Sequence, residues 1–205
     1  TVRNELGGLH SAKSIMFSVE FTEIEALQHQ NRWDEAAKIL IAAARSLESG
    51  GADFAIICTN TMHEVAPQIE KSINIPLLHI ADATAEVIVQ EGIKTVGLLG
   101  TAFTMEQDFY KGRLSENYGL NVLVPESEDR KVVHRIIYQE LCLGKIESNS
   151  KAEYLRIIDS LSNQGAEAVI LGCTEIGMLV NQEDTEIRLL NTTEIHAEKA
   201  VERAL

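Results

Sequence analysis

Cys58 and Cys173 stand about half the chain apart in matched surroundings. The first closes the run Gly51-Ala52-Asp53-Phe54-Ala55-Ile56-Ile57-Cys58-Thr59. The second closes Gly165-Ala166-Glu167-Ala168-Val169-Ile170-Leu171-Gly172-Cys173-Thr174, which differs by one inserted glycine. Each run is apolar, reads as a strand, and gives way to a helical stretch. In a parallel α/β sheet, ligands bind beyond the carboxyl ends of the strands. A helix start offers unpaired N–H groups and a positive dipole, which favour a thiolate over a thiol of ordinary pKa near 8.5. Both cysteines are therefore expected to be acid–base groups with lowered pKa. Thr59, Asn60, Thr61 and Thr174 add hydroxyls and an amide suited to the carboxylate and ammonium of an amino acid. Thr61-x-x-Glu64 also fits a capping box, so helix capping stands beside ligand contact as a role for Thr61.

Two similar acid–base groups from two related half-structures suit racemisation at carbon. One group removes a proton from one face of a planar carbanion and the other returns a proton to the opposite face. Proton transfer by positioned groups contributes roughly 100- to 10,000-fold. For a weakly acidic Cα–H, oriented hydroxyls and N–H groups must also stabilise the developing enediolate.

Other chemistries find less support. Cys142 falls inside an apolar helical pattern and reads as a small core residue. His63, His79 and His196 lack ligand spacing such as His-x-x-x-His, so no metal is expected. Gly97-Leu98-Leu99-Gly100-Thr101 has the glycines of a strand and turn but not Gly-x-Gly-x-x-Gly. Phosphate-loop and Gly-x-Ser-x-Gly motifs do not occur.

The elements that must position these residues alternate between strand and helix. Strands are expected at Ala12–Val19, Phe54–Ile57, Pro76–Ile80, Thr95–Leu99, Asn121–Val124, Val169–Leu171 and Ile187–Leu190. Helices are expected at Arg32–Glu48, Met62–Lys71, Ala83–Gln90, a segment opened by the capping pair Thr104-x-x-Gln107 and running to Tyr118, Val132–Leu141, Ala152–Leu161 and Thr193–Leu205. Ala36, Ile39, Leu40, Ala43 and Leu47 share one helical face. Continuous apolar strands separated by amphipathic helices predict parallel sheets covered on both faces. With the repeat, they predict an α/β fold of two pseudo-symmetric lobes, each a parallel sheet flanked by helices. The repeat also predicts a counterpart of Thr95–Thr101 ahead of Thr1.

The 205 residues are 45% apolar and 24% charged, a globular composition. A net charge of −13 opposes phosphate backbones and anionic lipid, which argues against nucleic-acid and membrane partners. It leaves room for an anionic small molecule in a local pocket. The apolar runs are far shorter than the roughly 20 residues of a membrane span, and the chain opens on no basic-then-apolar leader. Three cysteines without Cys-x-x-Cys suggest a reduced, cytoplasmic setting.

Cys58-Thr59-Asn60-Thr61, Gly172-Cys173-Thr174-Glu175, Leu78-His79-Ile80-Ala81-Asp82-Ala83-Thr84 and Gly100-Thr101-x-x-Thr104-Met105 together resemble the aspartate/glutamate racemase family. The similarity runs over essentially the whole chain. It implies two α/β lobes with the active site in the cleft between them, no cofactor, an amino-acid substrate and a homodimer. It implies catalytic roles for Cys58 and Cys173, and substrate contacts from Thr59, Asn60, Thr61, Thr101, Thr174 and Glu175. The last strand and helix would return to the first lobe, giving residues 1–94 plus 183–205 against 95–182. Glu175, where glutamate racemases carry His, points to the aspartate branch. Ser18-Val19-Glu20-Phe21 lacks an expected Arg, and Cys142 stands where a Lys is expected. Aspartate, glutamate and broader specificity therefore stay open. So do hydantoin racemisation, maleate isomerisation and a relative that binds amino acids without turnover.

Overall fold

A computed structural model describes residues 2–205. The protein has an α/β fold in which the chain divides into two compact units, one of residues 2–57, Met62–His79 and Glu198–Leu205, the other of Cys58–Thr61 and Ile80–Ala197.

The first unit holds helices α1 (Val2–Leu6), α2 (Phe21–His29), α3 (Trp33–Ser49) and α4 (Ala66–Glu70), with all but the first residue of a 3-10 turn at Thr61–Val65. Strands β1 (Ala55–Ile56) and β2 (Leu77–Leu78) pair in parallel. Ala36, Ala37 and Ala44 of α3 bury a small-residue stripe with Ile24, Leu27, Ala55, Val65 and Ile69. The strand expected at Ala12–Val19 does not form, and residues 11–18 are exposed. Its apolar residues suit a strand, but a strand needs a ladder partner, and among the described residues the pairing in this unit is confined to two residues each of β1 and β2.

The second unit is a four-stranded parallel sheet in the order β4-β3-β5-β6, formed by β3 (Thr95–Gly100), β4 (Asn121–Leu123), β5 (Ala168–Gly172) and β6 (Arg188–Asn191). Its helices are α5 (Ile80–Gln90), α6 (Ala102–Glu106), α7 (Asp108–Tyr118), α8 (Ser127–Gln139), α9 (Ser148–Asn163), α10 (Ile176–Leu179) and the start of α11 (Thr192–Ala204). Strand side chains alternate between faces. Val96, Leu98, Ala168, Ile170 and Leu190 pack with α5 and α7 on one face. Leu99, Val169, Leu171 and Leu189 pack with α8 and α9 on the other. That double covering explains why these strands read as unbroken apolar runs.

Two boundaries differ from the sequence expectation. Both α5 and β6 lie in this unit rather than with residues 1–79. Strand β6 pairs with β5 from Ala168↔Arg188 to Leu171↔Asn191, since Leu189 and Leu190 supply one apolar side chain to each sheet face. The helix expected to open at Thr104 is two helices. Thr101 is the N-cap of α6, its Oγ1 accepting from Thr104 N at 3.3 Å, and Gln107 in extended conformation (ψ 157°) separates α6 from α7. Thr101 wins the capping role because its backbone is already extended (ψ 161°), as an N-cap requires. Among the described residues no helix is long and apolar enough to cross a membrane.

Candidate active site

The order β4-β3-β5-β6 has a switch point between β3 and β5: the chain leaves β3 for β4 on one side and returns to β5 on the other. Crevices beyond carboxyl ends at such points are the usual ligand sites of open α/β sheets. Gly100 and Gly172 are register partners at the ends of these two strands. The next residues are Thr101 and Cys173, so the sheet itself brings two of the sequence-predicted residues side by side.

Both glycines are there because the backbones approach closely. A Cβ on Gly172 would lie 2.8 Å from Leu99 O, and one on Gly100 2.9 Å from Gly172 O and 3.1 Å from the Thr104 side chain. This accounts for the glycine inserted in the second copy of the repeat. The first copy ends in β1, paired to β2 over two residues only, and carries Ile57 before Cys58.

Cys58–Thr61 belongs to this second unit and is tied to it at two points. Thr61 Oγ1 lies 3.0 Å from Thr101 Oγ1 and 3.4 Å from Thr104 Oγ1, and the latter two are 3.2 Å apart. All three threonines are buried. Thr61 thus spends its hydroxyl on this cluster, which weighs against the capping alternative. Asn60 Nδ2 donates to Thr192 Oγ1 at 3.0 Å, and Thr192 Oγ1 donates to Leu171 O at 2.9 Å. Because the Thr192 proton is committed to Leu171, Thr192 must accept from Asn60, which fixes the amide's orientation. Asn60 Oδ1 is left buried with no partner. A buried acceptor of this kind calls for a donor, such as an ammonium group.

The second motif is an acidic knot. Cys173 Sγ donates to Glu175 Oε2 at 2.9 Å, and Thr174 Oγ1 donates to the same oxygen at 2.7 Å. The thiols depart from the expected lowered pKa. Burial pushes the Cys58 thiol up, and burial together with the Glu175 carboxylate pushes Cys173 well above the ordinary thiol range. The expected helix starts are a 3-10 turn after Cys58 and the four-residue α10 after Cys173, too short to oppose desolvation. Cys58 is solvent-exposed and Cys173 half-buried. Thr59 is half-buried beside Cys58. Cys142 sits in a 3-10 turn, Leu141–Leu143, and packs half-buried against the core of the second unit, as its core reading expects. Among the described residues no group of three His, Cys, Asp or Glu side chains is placed to hold a metal ion.

Thr104 and Thr192 were not singled out as site residues by sequence. Thr104 had a signal, its place in Gly100-Thr101-x-x-Thr104. Thr192 had only its position at the end of a strand.

The profile of the Asp/Glu/hydantoin racemase family matches residues 1–200. The chain belongs to that family. It is 53% identical to a candidate Asp/Glu racemase from Yersinia pestis, with TM-score 0.92 over 99% of this chain and 88% of the other. It is 36% identical to an aspartate racemase homologue from Pyrococcus horikoshii, with TM-score 0.83 and the same coverage. A broad specificity amino-acid racemase from Bacillus subtilis is 25% identical over 175 residues, 82% of this chain and 72% of the relative. Glutamate racemase from Francisella tularensis shares the fold, with TM-score 0.65 at 16% identity over 84% of this chain and 64% of the other.

Proposed function

We propose that this protein interconverts the L and D forms of aspartate or glutamate through two thiols, Cys58 and Cys173, without pyridoxal phosphate. The observation that carries the reading is the switch-point arrangement. Cys173, Thr101 and the Cys58–Thr61 segment converge on the carboxyl ends of β3, β5 and β6 through the strand register and the Thr61–Thr101 and Asn60–Thr192 hydrogen bonds. The name of the Bacillus relative supports a substrate panel wider than the two acidic amino acids.

In this reading one sulfur, as thiolate, takes the Cα proton. The C–H electron pair passes into an enediolate, and the other sulfur returns a proton to the opposite face. The Thr61–Thr101–Thr104 hydroxyls hold enough protons to bond one another in a ring. Rotating one outward presents a donor to the substrate carboxylate or enediolate, the kind of oriented stabilisation that proton abstraction from carbon needs. Asn60 Oδ1 accepts from the substrate ammonium. Glu175 and Thr174 line the side of Cys173, and Thr59 that of Cys58.

The test is incubation with L-aspartate and L-glutamate in deuterium oxide. Loss of optical rotation should accompany α-deuteration. Cys58→Ala and Cys173→Ala should each reduce both by at least about 100-fold, the lower bound of what a positioned acid–base group contributes. Racemisation at the unmodified rate in either variant would refute the two-thiol reading.

A further inference from the structure

Two of the three clustered threonines ride on α6: Thr101 is its N-cap and Thr104 sits in its first turn. A helix of five residues does not hold itself together in water, so α6 needs support from outside. Helix α8 of the same unit gives it at two points. Ala102 N donates to His134 Nδ1 at 3.0 Å, and Arg130 Nε donates to Glu106 Oε1 at 2.9 Å. On each helix the two contacts are about one turn apart, and they come in opposite order, as in an antiparallel pair. The His134 ring packs against Tyr138 and Phe103, at 4.8 and 6.1 Å between centroids. The peptide joining Thr101 to Ala102 is thereby held at both polar ends. Met105 N donates to Thr101 O at 3.0 Å, and Ala102 N donates to His134. A clamped peptide fixes the Thr101 ψ at 161°, and with it the approach of Thr101 Oγ1 to Thr61 Oγ1 at 3.0 Å.

We propose that His134 is a positioning residue for the candidate site, its Nδ1 lone pair clamping the Thr101–Ala102 peptide so that the threonine hydroxyls stand ready for the substrate. An imidazole nitrogen accepts a hydrogen bond only while it carries no proton, so the ring is neutral with its hydrogen on Nε2. Without that acceptor the Ala102 N–H turns to water, the peptide rotates and Thr101 leaves the ring it forms with Thr61 and Thr104. His134 acts only through Thr101 and Ala102. The role in turnover rests on the racemase reading, in which one of these hydroxyls turns toward the substrate carboxylate. The clamp itself does not rest on that reading.

The experiment compares His134→Asn with His134→Gln in the full chain. The Asn carbonyl oxygen is as many bonds from Cβ as Nδ1 is, so it keeps an acceptor near the same place. The Gln oxygen is one bond further out, where Nε2 stands. Gln is the better helix former of the two, so a purely structural role on α8 would favour the Gln variant. The clamp predicts the reverse. Two readouts are taken: α-deuteration of L-aspartate, and hydrogen exchange of the Ala102 amide followed by NMR. His134→Asn should stay within about twofold of the parent in both. His134→Gln should deuterate aspartate about five- to tenfold more slowly and lose Ala102 protection by a similar factor, the worth of one ordinary hydrogen bond. Imidazole nitrogen NMR of the parent should find the neutral His134 ring protonated on Nε2. A neutral ring protonated on Nδ1, or Ala102 protection in His134→Gln equal to that in His134→Asn, overturns the clamp. Deuteration by the parent together with a Gln variant as fast as the Asn variant defeats the positioning role and leaves the racemase reading standing. Absence of deuteration in the parent, with Ala102 protection kept by Asn and lost by Gln, supports the clamp and defeats the racemase reading.

Discussion

Replacing Gly172 by Ala tests whether the close approach of β3 and β5 builds the site. The new Cβ would start 2.8 Å from Leu99 O and 3.0 Å from Leu98 Cδ1, where ordinary contact begins at 3.4 Å. The oxygen belongs to a strand pinned by five register pairs, from Val96↔Ala168 to Gly100↔Gly172, so it cannot swing aside as a side-chain tip would. Relief of about 0.6 Å must come from opening the ladder end, an overpacking cost of about 1–3 kcal/mol. For a chain of this size, about 2 kcal/mol corresponds to a fall in Tm of about 4–8 °C. Gly97→Ala is the comparison, because its Cβ meets first the flexible tip of Leu161, Cδ1 at 2.9 Å, and α9 can yield. Calorimetry and urea unfolding should rank Gly172→Ala as the costlier change. Its α-deuteration rate should fall further than stability alone explains, since Cys173 is the next residue. A Gly172→Ala protein within about 0.3 kcal/mol of the parent, or one no worse than Gly97→Ala, would refute the argument.

Two further outcomes follow from particular contacts. Thr192→Val strips the hydroxyl that receives Asn60 Nδ2 and serves Leu171 O, leaving a buried amide N–H without its acceptor. Urea unfolding should show a loss of about 1–3 kcal/mol, and a loss under about 0.3 kcal/mol would mean that Asn60 is not held this way. The Glu167 carboxylate accepts from Thr95 N at 2.8 Å and Lys94 N at 3.0 Å, which lowers its pKa in the folded protein below the usual 4.5. A lowered folded value contributes stability above the unfolded pKa and loses it as pH falls through the folded one. The stability gap between the parent and Glu167→Gln should therefore be full at pH 6 and close below pH 4. A gap constant from pH 6 to pH 2.5 would contradict that linkage.

The sequence by itself determined the α/β alternation, most helix and strand positions in the second unit, and the two cysteine motifs. Those signals are local: an apolar run covered on both faces has no polar side to break its pattern, and a duplicated Gly-Ala-acid-apolar-Cys-Thr string is visible without coordinates. Tertiary structure decided what depends on partners distant in the chain. Ala12–Val19 has strand-like composition but no ladder, and β6 joined the sheet whose two faces could bury both Leu189 and Leu190. Nothing in Gly172 announced that a carbonyl would stand 2.8 Å from its missing side chain. The sign of the thiol shifts also waited on the fold. A strand-end cysteine before a helix reads as an easy thiolate, but burial and a carboxylate two residues away reverse it. A charge responds to everything within several ångströms, whereas a sequence pattern records only neighbours along the chain.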